Sequence, residues 1–174
     1  MNVPTRLLVL QRLTALLEET TYTFNGQTLS LAGAVFRGRN LVGDESKPWP
    51  IISILEAPRP DIALYAGDGE AMKDRWLLLI EGICENDLLN PSDAAYTLHA
   101  AVEEQLCKVV EKKQSGSAKY PEHYLLGNLI TGIEISPPVI RPPGDKASAA
   151  AFFFLPVRVG IATRFGQPYT QTPD

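Results

Sequence analysis

The strongest constraint on the fold is an apolar run that leads through a turn into a long amphipathic segment. Five consecutive apolar residues, Trp76 to Ile80, lie within the segment 75–85. This run is too short to span a membrane and too continuous for an ordinary strand with one face in water. It predicts a strand covered on both faces, or a central strand with one very apolar face. The segment 86–91, rich in Asn, Asp and Pro, then predicts a turn.

A long helix is predicted to follow this turn. Ser92 is a candidate N-cap, and Asp93 places a negative charge in the first turn, where the helix dipole favours it. Apolar residues then recur at steps of three and four, which defines one apolar stripe. The stripe comprises Ala95, Leu98, Val102, Leu106 and Val109. The segment 115–117, Ser-Gly-Ser, is expected to end this helix, whose apolar stripe would pack on a sheet.

The rest of the chain alternates between one further helix and several strands. Leucine spacing predicts a helix over 3–19, and Asn25-Gly26 predicts a hairpin turn. Further segments predict strands at 34–37, 49–56, 128–135 and 149–163, a short helical turn within 118–127, and a long hairpin loop at 58–74. This order indicates an α+β fold with a mostly antiparallel sheet and two main helices on one face. We expect a single domain over 1–165 and a flexible tail over 166–174.

Composition limits the classes of function. The chain has 174 residues and a net charge of −4, so it lacks the basic character of a protein that grips nucleic acid. Arg6 and Arg12 interrupt the N-terminal leucines, which is unlike a signal peptide, and the apolar runs are too short to cross a membrane. Cys84 and Cys107 are predicted to be buried free thiols. Together these features predict a soluble protein of a reducing cytoplasm.

Two groups of residues were weighed as sites of chemistry. His99 and Glu103 are one helical turn apart, as in a metal pair or an acid–base pair, but a third ligand at a specific spacing is missing. The segment 67–70, Gly-Asp-Gly-Glu, together with Asp74 contains carboxylates but does not complete a calcium loop. A histidine on a helix flank and a solvated loop tip are the favoured interpretations. The sequence predicts neither a catalytic residue, nor a metal, nor a cofactor.

Apolar residues in the long 58–74 loop suggest a contact surface. Ile62, Leu64, Tyr65 and Met72 lie in this loop, where exposure of apolar side chains to water would be unfavourable. They bury either against the body of the protein or against a partner subunit. The aromatic residues Phe165 and Tyr169 near the C-terminus are likewise expected to bury against the body of the protein or against a partner subunit.

The order of these segments resembles the tail terminator, or tail completion, proteins of long-tailed bacteriophages. The resemblance spans about residues 5–163 and is a pattern of elements and hydrophobic runs. Its features are the leucine-rich helix 6–19, the run 49–54 before a long loop, the strand 75–85 leading into 93–99, and the segments 130–135 and 152–161.

The resemblance implies a structural virion protein that forms a ring, usually a hexamer. This ring caps the finished tail tube, ends tube polymerisation and offers a surface to the head–tail connector protein. It implies localisation at the head-proximal end of the tail after assembly in the host cytoplasm. DNA would pass through the lumen without specific binding, which a negative protein permits. A closed ring requires a heterologous interface, and the 58–74 loop is the predicted place for subunit and tube contacts.

Two alternatives stay open at this point. One is another neck or head–tail connector protein of the same virion. The other is a small cytoplasmic enzyme that uses His99, Glu103 and the 67–70 loop, which predicts a deep polar pocket.

Overall fold

The computed structural model describes residues 2–40, 48–57, 66–67, 71–142, 150–164 and 167–171. It confirms the predicted α+β fold with a mostly antiparallel sheet. The elements in chain order are β1 (Asn2–Pro4), α1 (Thr5–Glu18), β2 (Thr21–Phe24), β3 (Gln27–Ser30), β4 (Val35–Arg37), β5 (Ile51–Glu56), β6 (Ala66–Gly67), β7 (Ala71–Glu85), α2 (Asp93–Cys107), α3 (Leu125–Asn128), β8 (Gly132–Ile135), β9 (Val139–Arg141), β10 (Ala150–Arg164) and β11 (Tyr169–Gln171).

The main sheet is organised around β7 and β10. These two 15-residue strands pair antiparallel along their whole length, from Glu85 opposite Ala150 to Ala71 opposite Arg164. The strand order is β4-β5-β7-β10-β8, with β6 also paired to β7 and β9 also paired to β10. Only the β4–β5 pair is parallel among the described pairings of this sheet. β5 and β7 are antiparallel neighbours, as predicted for the two strands that the 58–74 connection joins.

Both long helices pack on one face of this sheet. The period-two alternation along β7 and β10 sends every second residue into that core, including Leu78, Ile80, Phe153 and Leu155. Leucines of α1 and the predicted apolar stripe of α2 cover them. The hairpin β2–β3, which turns at Asn25-Gly26 as predicted, adds Tyr22 and Phe24 to the edge of the same core. The continuous apolar run of the sequence is therefore a central strand with one fully buried face.

The helix α2 ends earlier than predicted. It stops at Cys107 rather than near residue 115, and turns follow at 108–110. Val109 is nevertheless fully buried, so the apolar stripe continues beyond the helix and overstates its length. The prediction of two buried thiols is correct for Cys84 and wrong for Cys107, which is exposed at the end of the helix.

The ends of the chain also differ from the prediction. Asn2–Pro4 is a strand, β1, and the helix begins only at Thr5. Residues 169–171, which the sequence assigned to a loose tail, form β11 and pair antiparallel with β1. The junction is fixed at Thr5, whose backbone N–H donates to the carbonyl oxygen of Pro168 at 2.8 Å. The hydroxyl oxygen of Thr5 also lies 2.7 Å from that of Thr170.

The predicted strand 128–135 begins only at Gly132. The preceding residues 125–128 have φ values of 48°, 52°, 73° and 63°, which is a single turn of left-handed backbone. L-residues adopt this region at a cost of about 1–2 kcal/mol each, and glycine occupies one of these positions. Burial of Leu126, which is 4% exposed, accompanies this turn. The helical turn predicted within 118–127 thus corresponds to turns at 121–124 followed by this left-handed segment.

Candidate functional site

The residues predicted for subunit contact fall largely outside the described part of the chain. Ile62, Leu64 and Tyr65 lie outside the described residues. Met72 lies in β7 opposite Thr163, but its side chain is also outside the description. Phe165 is outside as well, whereas Tyr169 on β11 is 58% exposed. The predicted contact role of the 58–74 loop therefore stays a prediction.

His99 and Glu103 occupy neighbouring turns of α2, but the histidine belongs to the core. The imidazole is buried, with its ring edge-to-face against Phe153 at a centroid separation of 5.6 Å. Its Nε2 atom lies 3.4 Å from a carboxylate oxygen of Glu103. Burial lowers the pKa of His99 below its ordinary value, and the negative charge of Glu103 opposes this shift. The group is thus a neutral aromatic side chain at neutral pH.

His99 lies far from Gly67, the described residue of the predicted 67–70 loop. The histidine contacts Phe153, which is opposite Gly82 on β7, whereas Gly67 is opposite Met72. Ten residues of extended strand separate Met72 from Gly82, a distance of about 33 Å. Residues 68–70 themselves lie outside the description. Among the described residues there is also no group of three or more His, Cys, Asp or Glu side chains placed to hold a metal ion.

A more conspicuous feature is a pair of leucines in the turn between β7 and α2. Leu88 is 93% exposed and Leu89 is 89% exposed, far more than any other large hydrophobic side chain in the described residues. Burial of a leucine side chain stabilises a protein by about 1.5–3 kcal/mol. The isolated chain lacks this stabilisation at both leucines. Tyr96, in the first turns of α2, is also exposed, at 57%.

The turn that carries these leucines is ordered by Asp87. One carboxylate oxygen of Asp87 accepts hydrogen bonds from the backbone N–H groups of Leu89 and Asn90, both at 2.8 Å. These donors hold the pKa of the Asp87 carboxyl below its usual value. The carbonyl oxygen of Asn90 in turn accepts from the N–H of Asp93, where α2 begins. We call residues 87–90 the Leu88–Leu89 turn. It presents two leucines on a fixed backbone.

The sequence predicted a turn at 86–91 but not the exposure of its two leucines. The available signal was the presence of two adjacent leucines between Asn86-Asp87 and Asn90-Pro91. Leucine is uncommon among turn-forming residues, and the polar neighbours alone satisfy the requirements of the turn. The leucines are therefore not explained by the local backbone.

A second apolar surface lies on the sheet face opposite the two long helices. One end of this face is closed by a small cluster in which Phe36, Trp49 and Phe152 pack against buried Ile83. Beyond that end, the same face carries six apolar side chains that are half-buried or exposed and belong to neither buried cluster. They are Leu55, Leu77, Leu79, Val139, Phe154 and Pro156, which strand register places on one face. We call these six residues the apolar sheet patch, and none of the described helices packs on it.

Charged residues border this patch at one end. Arg158 lies between Leu77 on one neighbouring strand and Glu134 on the other. Arg75, two positions before Leu77, forms an ion pair with Glu134. The border therefore has two positive charges and one negative charge. By contrast, Asp87 and Asp93 place negative charge beside the Leu88–Leu89 turn.

The described surface has several hollows, and two of them contain Tyr22 and His123 respectively. One, of about 270 Å³, lies between the β2–β3 hairpin and the end of β7, and its lining includes Tyr22, Phe24, Trp49 and Glu85. Burial, assisted by Cys84, raises the pKa of the Tyr22 hydroxyl, which therefore stays protonated.

The other hollow, of about 240 Å³, lies beside α1 and is lined by Arg12, Glu19, Glu122 and His123 among others. Within it, the Nε2 atom of His123 is 3.1 Å from a carboxylate oxygen of Glu19. The Nε2 atom of His123 also lies 3.8 Å from a carboxylate oxygen of Glu122, so the imidazole is placed between two carboxylates at the surface.

No model of a known protein family matches the chain, and neither does any curated protein. Within the described residues, none of the helices is both long enough and apolar enough to cross a lipid bilayer.

Proposed function

We propose that this protein is a structural virion protein of a long-tailed bacteriophage that forms a ring, caps the tail tube and ends its polymerisation. The observation that carries the proposal is the Leu88–Leu89 turn, which holds two leucines about 90% exposed on an ordered backbone. Fixed apolar groups of this kind are typical of surfaces that are buried on assembly. The resemblance of the element order to tail terminators supplies the class of assembly.

The length of β7 suits a protein that makes contacts at two separate ends. The Leu88–Leu89 turn follows Glu85 at one end of this strand. The other end begins at Ala71, so residues 71–74 of the predicted 58–74 loop belong to β7 and the rest of that loop precedes it. Fifteen residues of extended strand separate the two ends by about 45 Å. A terminator ring needs distinct surfaces for its neighbours in the ring, for the tube and for the head–tail connector.

The proposed mechanism is capping by surface complementarity. One face of the ring binds the end of the tube, and the other face does not recruit a further tube subunit, so growth stops. The head–tail connector protein binds that second face, and DNA passes through the lumen. With a net charge of −4, the chain has no excess of cations to hold DNA phosphates during passage.

The test is the length of tubes grown with and without the protein. Purified tail-tube protein is polymerised alone and with this chain, and the products are measured by negative-stain electron microscopy. The proposal expects a ring-shaped density at one tube end and an arrest of growth at that end. Tubes that grow unchanged in the presence of excess protein would overturn it. Binding to the connector protein without any effect on tubes would favour the alternative role of a neck protein.

The predicted loop contacts are tested separately by deletion of residues 62–69, which include Ile62, Leu64 and Tyr65. If the loop contacts the tube, the shortened protein loses tube capping while its circular dichroism spectrum and melting temperature are retained. Normal capping and infectious virions with this deletion would remove the loop from the interface. Met72→Ser provides a point variant at the other end of the same segment.

A further inference from the structure

We infer that the Leu88–Leu89 turn of one copy packs on the apolar sheet patch of a second copy, in a head-to-tail contact. The turn is a convex apolar feature, with both leucines about 90% exposed. The patch lies on the side of the sheet away from the helices; Val139 is exposed in it and its other five side chains are half-buried. The buried polar pair Ser53 and Glu81 adjoins Leu55 and Leu79 on this face. This inference deepens the proposed ring by assigning its subunit interface, and it therefore rests on the proposed function.

Charge favours a second copy of this chain as the occupant. Asp87 and Asp93 flank the two leucines and place negative charge around them. Arg75 and Arg158 border the patch, Arg75 forms an ion pair with Glu134, and Glu134 is the residue opposite Arg158. The same face also carries Arg141, opposite Phe152, and the buried Glu81, opposite Phe154. The patch therefore keeps an excess of positive charge at the edge that meets the turn. Apolar surfaces with complementary charged borders are the arrangement expected of a specific interface.

The backbone of the turn strengthens this match. The carboxylate of Asp87 accepts two backbone hydrogen bonds and so fixes the conformation in which the leucines project. A surface that is already ordered loses little conformational entropy on binding. The same turn is anchored by β7 on one side and α2 on the other, so its position relative to the sheet is set by the core.

The two surfaces differ, and this decides the symmetry of the assembly. The turn lies at the end of β7, whereas the patch includes Leu77 and Leu79 in the middle of the same strand. A contact between two different surfaces is heterologous, and its repetition produces either a closed ring or an open filament. Each subunit then has one turn and one patch engaged with different neighbours. The arrangement supplies the kind of interface that a ring requires.

The experiment uses two complementary variants of the full chain. The first, Leu88→Ser with Leu89→Ser, removes the apolar turn; the second, Leu77→Thr with Leu79→Thr, weakens the patch while keeping residues suited to strands. Mass is measured by light scattering over a range of concentrations. The association constant of each variant is expected to fall about 100-fold or more. Each variant alone should then show the 19.1 kDa mass of one chain.

An equimolar mixture of the two variants gives the decisive result. The turn variant still has an intact patch, and the patch variant still has an intact turn. The mixture is therefore expected to form a 1:1 complex of twice the single-chain mass, which cannot extend further. Variants that remain fully associated, or a mixture that stays monomeric, would overturn the inference.

A second patch variant guards against loss of folding. Val139→Glu places a negative charge at a position that is 48% exposed, where it would repel the acidic turn, and it should also abolish self-association without disturbing the core. Leu88→Ile with Leu89→Ile is the matched control for the turn and should retain association. Circular dichroism spectra and melting temperatures confirm that each variant is folded.

Failure of this inference is distinguishable from failure of the proposed function. A wild-type chain that is monomeric at every concentration overturns the head-to-tail contact, whatever its effect on tubes. A Leu88→Ser, Leu89→Ser variant that still forms rings but no longer caps tubes also overturns it, because the turn would then contact the tube. In that case capping by the wild-type protein would still support the proposed function.

Discussion

Gly82 on β7 lies directly opposite Phe153 on β10, and the phenyl ring fills the space that a side chain at residue 82 would occupy. A Cβ atom placed on Gly82 would overlap the ring of Phe153. Phe153 is fully buried beneath α2 and also touches the ring of His99 edge-to-face. The close approach of strand and ring at this point is possible only because residue 82 has no side chain.

Gly82→Ala is therefore expected to destabilise the fold. The added methyl group forces Phe153 from its position in a close-packed core, which costs about 1–3 kcal/mol in the free energy of unfolding. The measurement is urea denaturation followed by circular dichroism. Gly132→Ala on β8 is the matched control, because a Cβ there meets no atom within 4 Å. Equal stability of the two variants would contradict the role assigned to Gly82.

Stability is expected to fall as the solution is acidified below about pH 6.5. Burial lowers the pKa of His99 in the folded protein, so the unfolded chain binds a proton more readily. The stability that His99 contributes is complete above the unfolded pKa of about 6.5 and declines as pH falls towards the folded pKa.

His99→Gln should reduce this dependence on pH, because the substituted side chain does not titrate. The free energy of unfolding is measured at several values between pH 5 and pH 8 for both proteins. A wild-type decline that the variant reproduces in full would show that His99 is not its source.

The two thiols are expected to differ sharply in reactivity. Cys84 is 3% exposed, and burial raises the pKa of its thiol to about 12. Cys107 is exposed at the end of α2, where partial burial and nearby carboxylates, that of Glu103 first, also raise the pKa of its thiol. Only the thiolate reacts with disulfide reagents. Labelling of the native protein at pH 8 should therefore modify one thiol, and labelling after unfolding should modify two. Cys107→Ser should remove the native reaction, and any rapid labelling that persists would contradict the buried position of Cys84.

Gln105 is expected to stabilise the contact between the two long helices. This side chain is buried, and its Nε2 group donates to the carbonyl oxygen of Leu16 at 2.8 Å, near the C-terminal end of α1. Gln105→Leu leaves that carbonyl without this donor and should cost about 1–2 kcal/mol in the free energy of unfolding. Gln11→Leu, on the exposed side of α1, is the control and should change stability by about 0.5 kcal/mol or less.

The shape of the Leu88–Leu89 turn is expected to depend on an acceptor oxygen at residue 87, whereas the charge of this residue contributes separately to the match with the patch. Asp87→Asn keeps an oxygen for the N–H groups of Leu89 and Asn90, whereas Asp87→Ala removes it. Loss of a comparable helix-capping acceptor costs about 1 kcal/mol, which corresponds to roughly fivefold weaker self-association for the alanine variant. Sedimentation equilibrium measures the two constants. An asparagine variant as weak as the alanine variant would indicate that charge dominates.

Much of the fold could be predicted because its signals are local. The apolar run in β7, the Asn25-Gly26 turn and the start of α2 at Asp93 each depend on side chains within a few residues of one another. Period-two and period-3.6 patterns also indicated which face of each element is buried. The alternation α, β, α, β then limited the architecture to a sheet with its helices on one face.

The candidate site was less accessible from the sequence. The exposure of Leu88 and Leu89 depends on whether another part of the chain folds over them, which no local pattern reveals. The apolar sheet patch arises because register aligns Leu79 with Leu55 and Pro156, residues that are far apart in the chain. Sequence reasoning instead selected Ile62, Leu64, Tyr65 and Met72, whose side chains lie outside the described residues.

The sequence by itself determined the type of most elements, because backbone preference and hydrophobic periodicity act over one or two turns of chain. The tertiary structure alone decided the pairing of β1 with β11 and the burial of Val109 beyond the end of α2. It also decided which apolar side chains remain at the surface. These outcomes depend on contacts between residues that are as many as 163 positions apart or more, where the free energy of packing exceeds any local preference.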